Sequence, residues 1–239
     1  MLYESSSMIL PIFTLTLEPE NPLRFILPDF RSALTRQLAK FPATALPIGS
    51  AEHSIHRYPA LQCKQVKGEL MVIGICQGAG FLWQVTSGNS QLEAGDIPCT
   101  ITSRDPEIQH EVFGIDGRMH EYEFLTPWLA LNQQYAKKFY DLSGKPARDA
   151  FMQDLLIRHL TTLAKSLDYT LPEPITCMAK VKFLRERIDR ENVIVFLGKF
   201  KTNLCIPDYL GIGQSVSQGY GTVRAIPNAL EGTDGIGPE

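Results

Sequence analysis

The first clear pattern is an alternation of side-chain character near the N-terminus, from Ile12 to Leu17. A period of two is typical of a half-buried strand, and the segment Glu18-Pro19-Glu20-Asn21-Pro22 closes it with a turn. Apolar residues then recur at every third or fourth position from Phe30 to Phe41, which predicts a helix ending before Pro42. The chain therefore opens with a strand and a helix.

Several apolar runs between positions 60 and 126 predict a β-rich first half. Two of these runs meet at Lys67-Gly68, a pair suited to a tight hairpin turn. The expected strands are Ala60–Val66, Leu70–Cys76, Phe81–Thr86, Ile97–Ser103 and Met119–Thr126.

Helical spacing returns after residue 126, because apolar residues step by three and four from Trp128 to Leu142. Thr126 is the expected cap of this helix and Ser143-Gly144 its exit. The remaining elements are expected as helices at about Ala147–Leu167 and Pro174–Ile188, a strand at Val193–Thr202, and a glycine-rich loop and strand at Gly211–Ile226.

This order of elements predicts an α+β fold of the ferredoxin-like kind, in two related halves with antiparallel sheets. We place the boundary near Thr126, which gives an N-terminal domain at 1–126 and a C-terminal domain at 127–226. The tail at 227–239 is polar and Gly-rich, and we expect it to be disordered.

Composition narrows the class of protein. The 239 residues include 23 Lys and Arg against 26 Asp and Glu, for a formal charge of −3, and 44% are hydrophobic. These values are typical of a globular protein and exclude collagen, coiled coil and wholly disordered chains. A near-neutral balance gives no global attraction to nucleic acid, so any such partner requires a local basic surface.

Location and redox state are inferred from the N-terminus and the cysteines. No basic residue precedes the apolar run Met8–Leu17, which is shorter than the ~20 residues of a membrane helix, so we expect a cytoplasmic protein without a membrane partner. The cysteines are odd in number and scattered, which argues for reduced thiols rather than a disulfide scaffold or zinc motif. They are Cys63, Cys76, Cys99, Cys177 and Cys205.

The most specific stretch is Pro207–Val223, which carries four glycines between positions 211 and 221. Glycines allow positive φ and close backbone approach, and successive N–H groups can bind an anion. A plain surface loop is the competing interpretation. The stretch lacks the Gly-Lys-Ser/Thr ending of a Walker loop and precedes a strand, unlike a dinucleotide fingerprint.

A second candidate is the loop before position 59, where His53, His56 and Tyr58 lie within six residues. Histidine exchanges protons near neutral pH, so two histidines beside a tyrosine could divide base and acid work. A solvated loop is the bland alternative, and no further ligands nearby support zinc. For His110, His120 and His159 a structural role is favoured.

Basic residues near the C-terminal helices and strands offer a further surface. Arg185, Arg187 and Arg190 form a run that we place near a helix end, where a solvated face is the default and phosphate contact the alternative. Lys199 and Lys201 are placed beside the glycine-rich loop and could share its ligand.

Four blocks, taken in order, resemble one family. They are Tyr58-Pro59-Ala60-Leu61-Gln62-Cys63-Lys64, Ile73-Gly74-Ile75-Cys76-Gln77-Gly78, Trp128-Leu129-Ala130-Leu131-Asn132-Gln133-Gln134-Tyr135, and the glycine-rich block. The chain resembles, over about residues 8 to 226, the CRISPR-associated endoribonucleases that cut precursor CRISPR RNA within its repeats. The resemblance implies tandem ferredoxin-like (RRM-like) domains and a glycine-rich loop that helps hold RNA.

The resemblance also implies metal-independent cleavage without a cofactor, in which a ribose 2′-hydroxyl attacks its own phosphate. His53, His56 and Tyr58 would serve as base and acid, and Lys64 or Lys67 would bear developing charge. The expected RNA-binding residues are Lys67, Arg185, Lys199, Lys201, Gly211, Gly213, Ser215, Ser217, Gly219 and Gly221.

The family places its histidines further upstream, where this chain reads Leu46-Pro47-Ile48-Gly49-Ser50. His53 and His56 are either displaced equivalents or the usual histidine is missing. The rival hypotheses are a non-cleaving RNA-binding or complex-assembly protein on the same scaffold, and a nucleotide-binding enzyme that uses the loop. CRISPR repeat RNA is the expected partner, with an effector complex and a homodimer left open.

Overall fold

The computed structural model describes residues 7–20, 58–87, 91–94, 97–104, 108–188 and 191–227. The helix expected at 30–41, the candidate residues His53 and His56, Arg190 and the tail beyond 227 lie outside these residues. Each remains a prediction from the sequence.

Within the described ranges the chain forms nine strands and three α-helices. None of these helices has both the length and the apolar character that crossing a membrane requires. In chain order the elements are β1 (Met8–Pro19), β2 (Leu61–Val66), β3 (Glu69–Ile75), α1 (Gln77–Thr86), β4 (Gln91–Ala94), β5 (Ile97–Arg104), β6 (Gln109–Phe124), α2 (Gln133–Asp141), α3 (Lys145–Ser166), β7 (Cys177–Ile188), β8 (Glu191–Cys205) and β9 (Val223–Ala225).

All the strands pair antiparallel, in the order β2-β3-β1-β6-β8-β7, with β4 and β5 beside β1 and β9 beside β6. The long strand β6 pairs with β1 through its first five residues and with β8 from Gly114 onward. It therefore joins the two halves of the molecule. The antiparallel α+β architecture confirms the class predicted from the element order.

The alternation in β1 divides its side chains between two cores. Phe13, Leu15 and Leu17 are buried with the inner face of α1. Leu10 and Ile12 belong to a larger core that also contains the buried residues of α3 and the aromatic residues of β6 and β8. Because both faces of β1 are covered, its alternating side chains contribute to two separate cores.

The β2–β3 hairpin and helix α3 confirm the sequence pattern. Lys67 and Gly68 both have positive φ, at 52° and 91°, as a tight hairpin turn requires. Helix α3 matches the helix expected at about 147–167, and it buries Met152, Leu155, Leu156, Leu160 and Leu163 along one stripe. Strand β8 likewise matches the strand expected at 193–202.

The strand predicted at Phe81–Thr86 is wrong, because this segment is the second half of α1. The buried residues Ala79, Leu82 and Val85 of α1 are spaced by three, which is a helical period. Two glycines in the first turns weakened that signal. Gly78 is needed because a Cβ there would lie 2.1 Å from the carbonyl oxygen of Ala60.

The helix predicted at Pro174–Ile188 is also wrong, because strand β7 occupies this segment. It pairs residue by residue with β8 over its whole length. Many of its side chains are exposed on both faces of this ribbon, which blurred the period-two signal. Arg185 and Arg187 therefore lie on a strand and not near a helix end.

The helix expected from Thr126 begins later, at Gln133. Asn132 is its actual cap, because its side chain accepts a hydrogen bond of 2.8 Å from the Tyr135 N–H. Trp128 instead forms an antiparallel bridge to Phe196. The Thr126 hydroxyl is hydrogen-bonded to the glycine-rich loop instead of capping the helix.

Two substitutions in α1 test why the helix was missed. Gly78→Ala should lower the free energy of unfolding by about 1–3 kcal/mol, because the added methyl meets the Ala60 carbonyl. Gly80→Ala is the matched control, since a Cβ there meets nothing within 4 Å, and it should raise stability by about 0.5–1 kcal/mol. Urea unfolding measures both, and equal effects would contradict this packing.

Candidate functional site

Tyr58 lies three residues before β2 and is hydrogen-bonded to the glycine-rich loop near the other end of the chain. Its hydroxyl donates to the Gly211 carbonyl oxygen and accepts from the Gly211 N–H, each at 2.8 Å. Burial raises the pKa of Tyr58 above its ordinary range, with hydrogen bonds to Gln62 and Gly211 acting in the opposite direction. The phenol therefore stays protonated at neutral pH and keeps both hydrogen bonds.

Lys64, on β2, lies beneath the same loop with 0% of its surface exposed. Its Nζ is 3.2 Å from the Thr222 Oγ1. Burial lowers the pKa of Lys64 to about 7. No carboxylate among the described residues forms an ion pair with it, so it changes charge near neutral pH.

Two threonines continue this network to the backbone of the loop. The hydroxyls of Thr126 and Thr222 both donate to the Gly219 carbonyl oxygen, at 2.6 and 3.0 Å. The Thr222 N–H donates to the Thr126 Oγ1 at 2.9 Å. Thr126 thus stabilises the loop, which sequence reasoning missed because a threonine before a proline is typical of a helix cap.

Most of the glycines serve the loop's own packing. A Cβ at Gly213 would lie 2.6 Å from the Trp128 Nε1, and one at Gly221 would lie 1.9 Å from the Ile212 carbonyl oxygen. The loop also docks on the segment after Thr126, because the Gly221 N–H donates to the Pro127 carbonyl oxygen at 2.8 Å. The glycines therefore allow the predicted close approach of two backbone segments, and both segments belong to this chain.

The serines lie in the more open part of the loop. Ser215 has a φ of 53° and precedes a short 3₁₀ turn at Val216–Gln218. Within the described chain, the N–H groups of Ser215, Val216 and Ser217 donate no hydrogen bond. These N–H groups and the two partly exposed serine hydroxyls can therefore accept an anionic ligand.

Gln62 belongs to this region but is not among the site residues predicted from the sequence. It is fully buried on β2, next to Tyr58, and its Nε2 donates to the Pro59 carbonyl oxygen at 3.4 Å. Its Oε1 is buried and has no hydrogen-bond partner among the described residues. The sequence of β2 did not signal this burial, because three of its six residues are polar although five of the six are buried.

Trp128 connects the loop to the main core. Its Nε1 donates to the Nδ1 of His159 at 3.2 Å, and the indole stacks on Phe124. Burial lowers the pKa of His159 to about 4, so the imidazole is neutral and accepts this hydrogen bond at physiological pH. His159 thus helps to position the surface on which Gly213 packs.

A basic face lies on the β7–β8 ribbon. Lys199 stands directly opposite Lys180, and Lys182 follows two residues on, on the same face of β7. The three are exposed, and in the described part of the chain they form no ion pair. Lys201 differs because its Nζ lies 3.1 Å from a Glu121 carboxylate oxygen.

The other predicted basic residues are not part of this face. Arg185 lies an odd number of residues from Lys180 on an unbroken strand, so its side chain points to the opposite face of the ribbon. Lys67 is exposed at the β2–β3 turn, at the other edge of the sheet order.

Family comparisons agree with this arrangement. A Cas6b N-terminal domain model matches residues 8–111, and a Cas6b C-terminal domain model matches residues 114–226. Both halves therefore match one class of CRISPR-associated protein. The chain belongs to the Cas6b family. The uncharacterized protein MJ0978 of Methanocaldococcus jannaschii is 30% identical over 118 residues, which cover 49% of this chain and 80% of that protein.

Solved structures show the same fold. A crystal structure of Cas6b matches with a TM-score of 0.74 and 24% identity, covering 92% of this chain and 100% of that one. A crystal structure of the CRISPR RNA processing endoribonuclease Cas6b matches with a TM-score of 0.70 and 25% identity over the same shares. The predicted tandem ferredoxin-like fold and the predicted family are confirmed, while the boundary near Thr126 stays a prediction.

Tyr58→Phe tests the bond between β2 and the loop. Removing the hydroxyl leaves the N–H and the carbonyl of Gly211 without their partner, so the free energy of unfolding should fall by about 2–4 kcal/mol. Urea unfolding measures this change. Tyr140→Phe is the matched control, since Tyr140 is 52% exposed, and it should have little effect. An unchanged free energy of unfolding in Tyr58→Phe would show that these hydrogen bonds do not stabilise the fold.

Lys64→Met tests the buried lysine through pH. The folded protein holds Lys64 with a pKa of about 7 against 10.5 for an ordinary lysine. The unfolded chain therefore binds more protons between these values, so native stability should rise with pH relative to the variant. We expect a gain of about 2–3 kcal/mol between about pH 7 and 9 by urea unfolding.

Lys145→Met is the control for this experiment, because the Lys145 side chain is 88% exposed. Its stability should follow that of the native protein across the same pH range. Parallel curves for the native protein and Lys64→Met would show that Lys64 is not buried as a shifted lysine.

Proposed function

We propose that this chain is an endoribonuclease that cleaves precursor CRISPR RNA within its repeats, without a metal ion. Family membership supports the RNA substrate, since a Cas6b structure of the same fold is named as a CRISPR RNA processing endoribonuclease. The observation that carries the proposal is the double hydrogen bond between Tyr58 and Gly211.

That bond connects the two candidate regions. His56 and His53 precede Tyr58 by two and five residues in the sequence. Both histidines are therefore close along the chain to a residue that is hydrogen-bonded to the glycine-rich loop.

The reaction needs a base for the 2′-hydroxyl proton and an acid for the 5′-oxygen that leaves. The attack forms the bond from the 2′-oxygen to phosphorus and breaks the bond to the 5′-oxygen, giving a 2′,3′-cyclic phosphate and a 5′-hydroxyl. We assign proton transfer to His53 or His56, because imidazole gives and takes protons near neutral pH. Tyr58 assists by positioning, since both hydrogen-bonding functions of its hydroxyl are engaged at Gly211.

Negative charge develops on the phosphate oxygens in this reaction. We assign stabilisation of this charge to the N–H groups and hydroxyls of Ser215 and Ser217, because preformed donors stabilise such charge without reorganisation. Lys64 supports the loop from beneath through Thr222 and adds positive charge when it is protonated. A base, an acid and charge stabilisation are thus all supplied by side chains and backbone of this chain.

The basic face of β7 and β8 supplies a surface for the RNA backbone. Like charges placed directly opposite each other on a sheet destabilise it, and a bound phosphate removes that repulsion. We therefore propose that Lys180, Lys182 and Lys199 contact phosphates. Such a local cluster meets the requirement that a formal charge of −3 imposes on an RNA-binding protein.

The histidines are tested with labelled repeat RNA in EDTA, with product ends mapped to single nucleotides. The native protein should make one discrete cut that leaves a cyclic phosphate. His53→Ala and His56→Ala should show which histidine carries the reaction, with a loss of about 10²–10⁴-fold in the single-turnover rate and unchanged binding.

His110→Ala is the control, because His110 is exposed on β6, and it should cleave normally. Binding of repeat RNA without any cut by the native protein would identify the chain as a non-cleaving member and would refute the nuclease assignment. Cleavage only after addition of a divalent cation would refute the metal-free mechanism.

Lys180→Ala and Lys199→Ala test the basic face. Each should weaken binding of repeat RNA and lower the slope of log K against log salt by about 0.7–0.9, since each removes one phosphate contact. Lys145→Ala is the control with an equal change in net charge. An unchanged salt slope in both ribbon variants would exclude this face from the RNA path.

A further inference from the structure

The pairing of β6 with β8 is interrupted where β6 leaves the first half of the molecule. Ile115 pairs with Leu204, but the next pair is His120 with Thr202, so β6 has extra residues between them. Gly117 takes a φ of 78° in this bulge, and the Arg118 N–H donates to the Asp116 Oδ1 at 3.1 Å. Bulges of this kind re-aim side chains.

The bulge brings two side chains of β6 together. The Nε2 of His120 lies 2.8 Å from the Asp116 Oδ1. The side chains are 18% and 10% exposed, so both are sheltered but reachable from solvent. On a regular strand, residues four positions apart face the same way and lie about 13 Å from each other. Here the side chains of Asp116 and His120 are in contact.

Cys205, at the end of β8, completes a group of three. It pairs with Gly114 across the ladder, and its Sγ, the carboxylate of Asp116 and the ring of His120 offer ligand atoms within 4.8 Å of one another. All three residues are partly buried. No step of the proposed reaction uses this group.

We propose that Asp116, His120 and Cys205 bind a zinc ion. Zinc accepts thiolate, imidazole and carboxylate ligands together, at about 2.0–2.3 Å, in a tetrahedron whose ligand atoms are about 3.3–3.7 Å apart. Asp116 lies in the part of β6 that is unpaired with β8, so this residue can make the approach of about 1 Å that the geometry needs. Three protein ligands leave the fourth position to water.

Binding changes the local contacts in a defined way. The thiol of Cys205 gives its proton to solvent, and the metal replaces the hydrogen bond between His120 and Asp116. The Arg118 guanidinium, which lies 2.8 Å from the Asp116 Oδ2 on a 70% exposed side chain, turns toward solvent. The ion would fix the bulge of β6 to the end of β8, close to where β6 pairs with β1.

Cobalt titration of the metal-free protein tests this proposal, because Co²⁺ in a zinc site reports its ligands by absorption. The native protein should develop a thiolate-to-cobalt band in the near ultraviolet and tetrahedral ligand-field bands in the visible, at one ion per chain. Added Zn²⁺ should abolish both sets of bands. Cys205→Ser should lose the near-ultraviolet band, and His120→Ala and Asp116→Asn should bind at least tenfold more weakly.

Cys76→Ser and His110→Ala are matched controls outside the group, and they should bind cobalt as the native protein does. No near-ultraviolet band in the native protein, or an unchanged band in Cys205→Ser, would overturn the zinc site whatever the variants' stability. The proposal does not rest on the RNA reaction. His120→Ala should therefore cleave repeat RNA in EDTA at the native rate. Loss of cleavage in this variant would show that His120 acts in RNA cleavage and would contradict a separate metal site.

Discussion

The rest of the site depends on the hydrogen-bonded pair of Tyr58 and Gly211. One hydroxyl satisfies both polar groups of a single glycine, 153 residues away along the chain. This contact holds the segment before β2 against the C-terminal loop, at a residue that follows His56 by two positions in the sequence. Lys64 and Thr222 add a second contact between β2 and this loop.

The loop is held in place at a cost to stability. Lys64 is fully buried and loses hydration in a position where an apolar side chain would fit the surrounding strand. Gly213 and Gly221 leave room for an indole and a carbonyl that any other residue would strike. Because burial lowers the pKa of Lys64 to about 7, the charge beneath the loop changes with pH near neutrality. Under the proposed function, the local basic face of Lys180, Lys182 and Lys199 attracts RNA in spite of the formal charge of −3.

Sequence patterns predicted the fold where one period dominated. The alternation in β1, the Lys67-Gly68 turn and the stripe of α3 each follow from local rules, and the structure confirms them. The patterns failed for α1, where two glycines, one of them packed against Ala60, hid a helix, and for β7, whose pairing with β8 determines its form. The glycine-rich block was visible as a motif, but its bonds to Tyr58, Thr126 and Lys64 are long-range contacts that no local pattern contains. The resemblance to CRISPR-associated endoribonucleases predicted the family, whereas the Lys180–Lys199 pair is visible only in the strand register.

The most direct test of this account is hydrogen exchange of the loop amides, resolved by residue, in the native protein and in Tyr58→Phe. The Gly211 N–H donates to the Tyr58 hydroxyl, so its exchange should become much faster in the variant, while the paired amides of β7 and β8 keep their protection. Unchanged protection at Gly211 would mean that the loop holds its form without Tyr58, and would contradict the central role given to this contact.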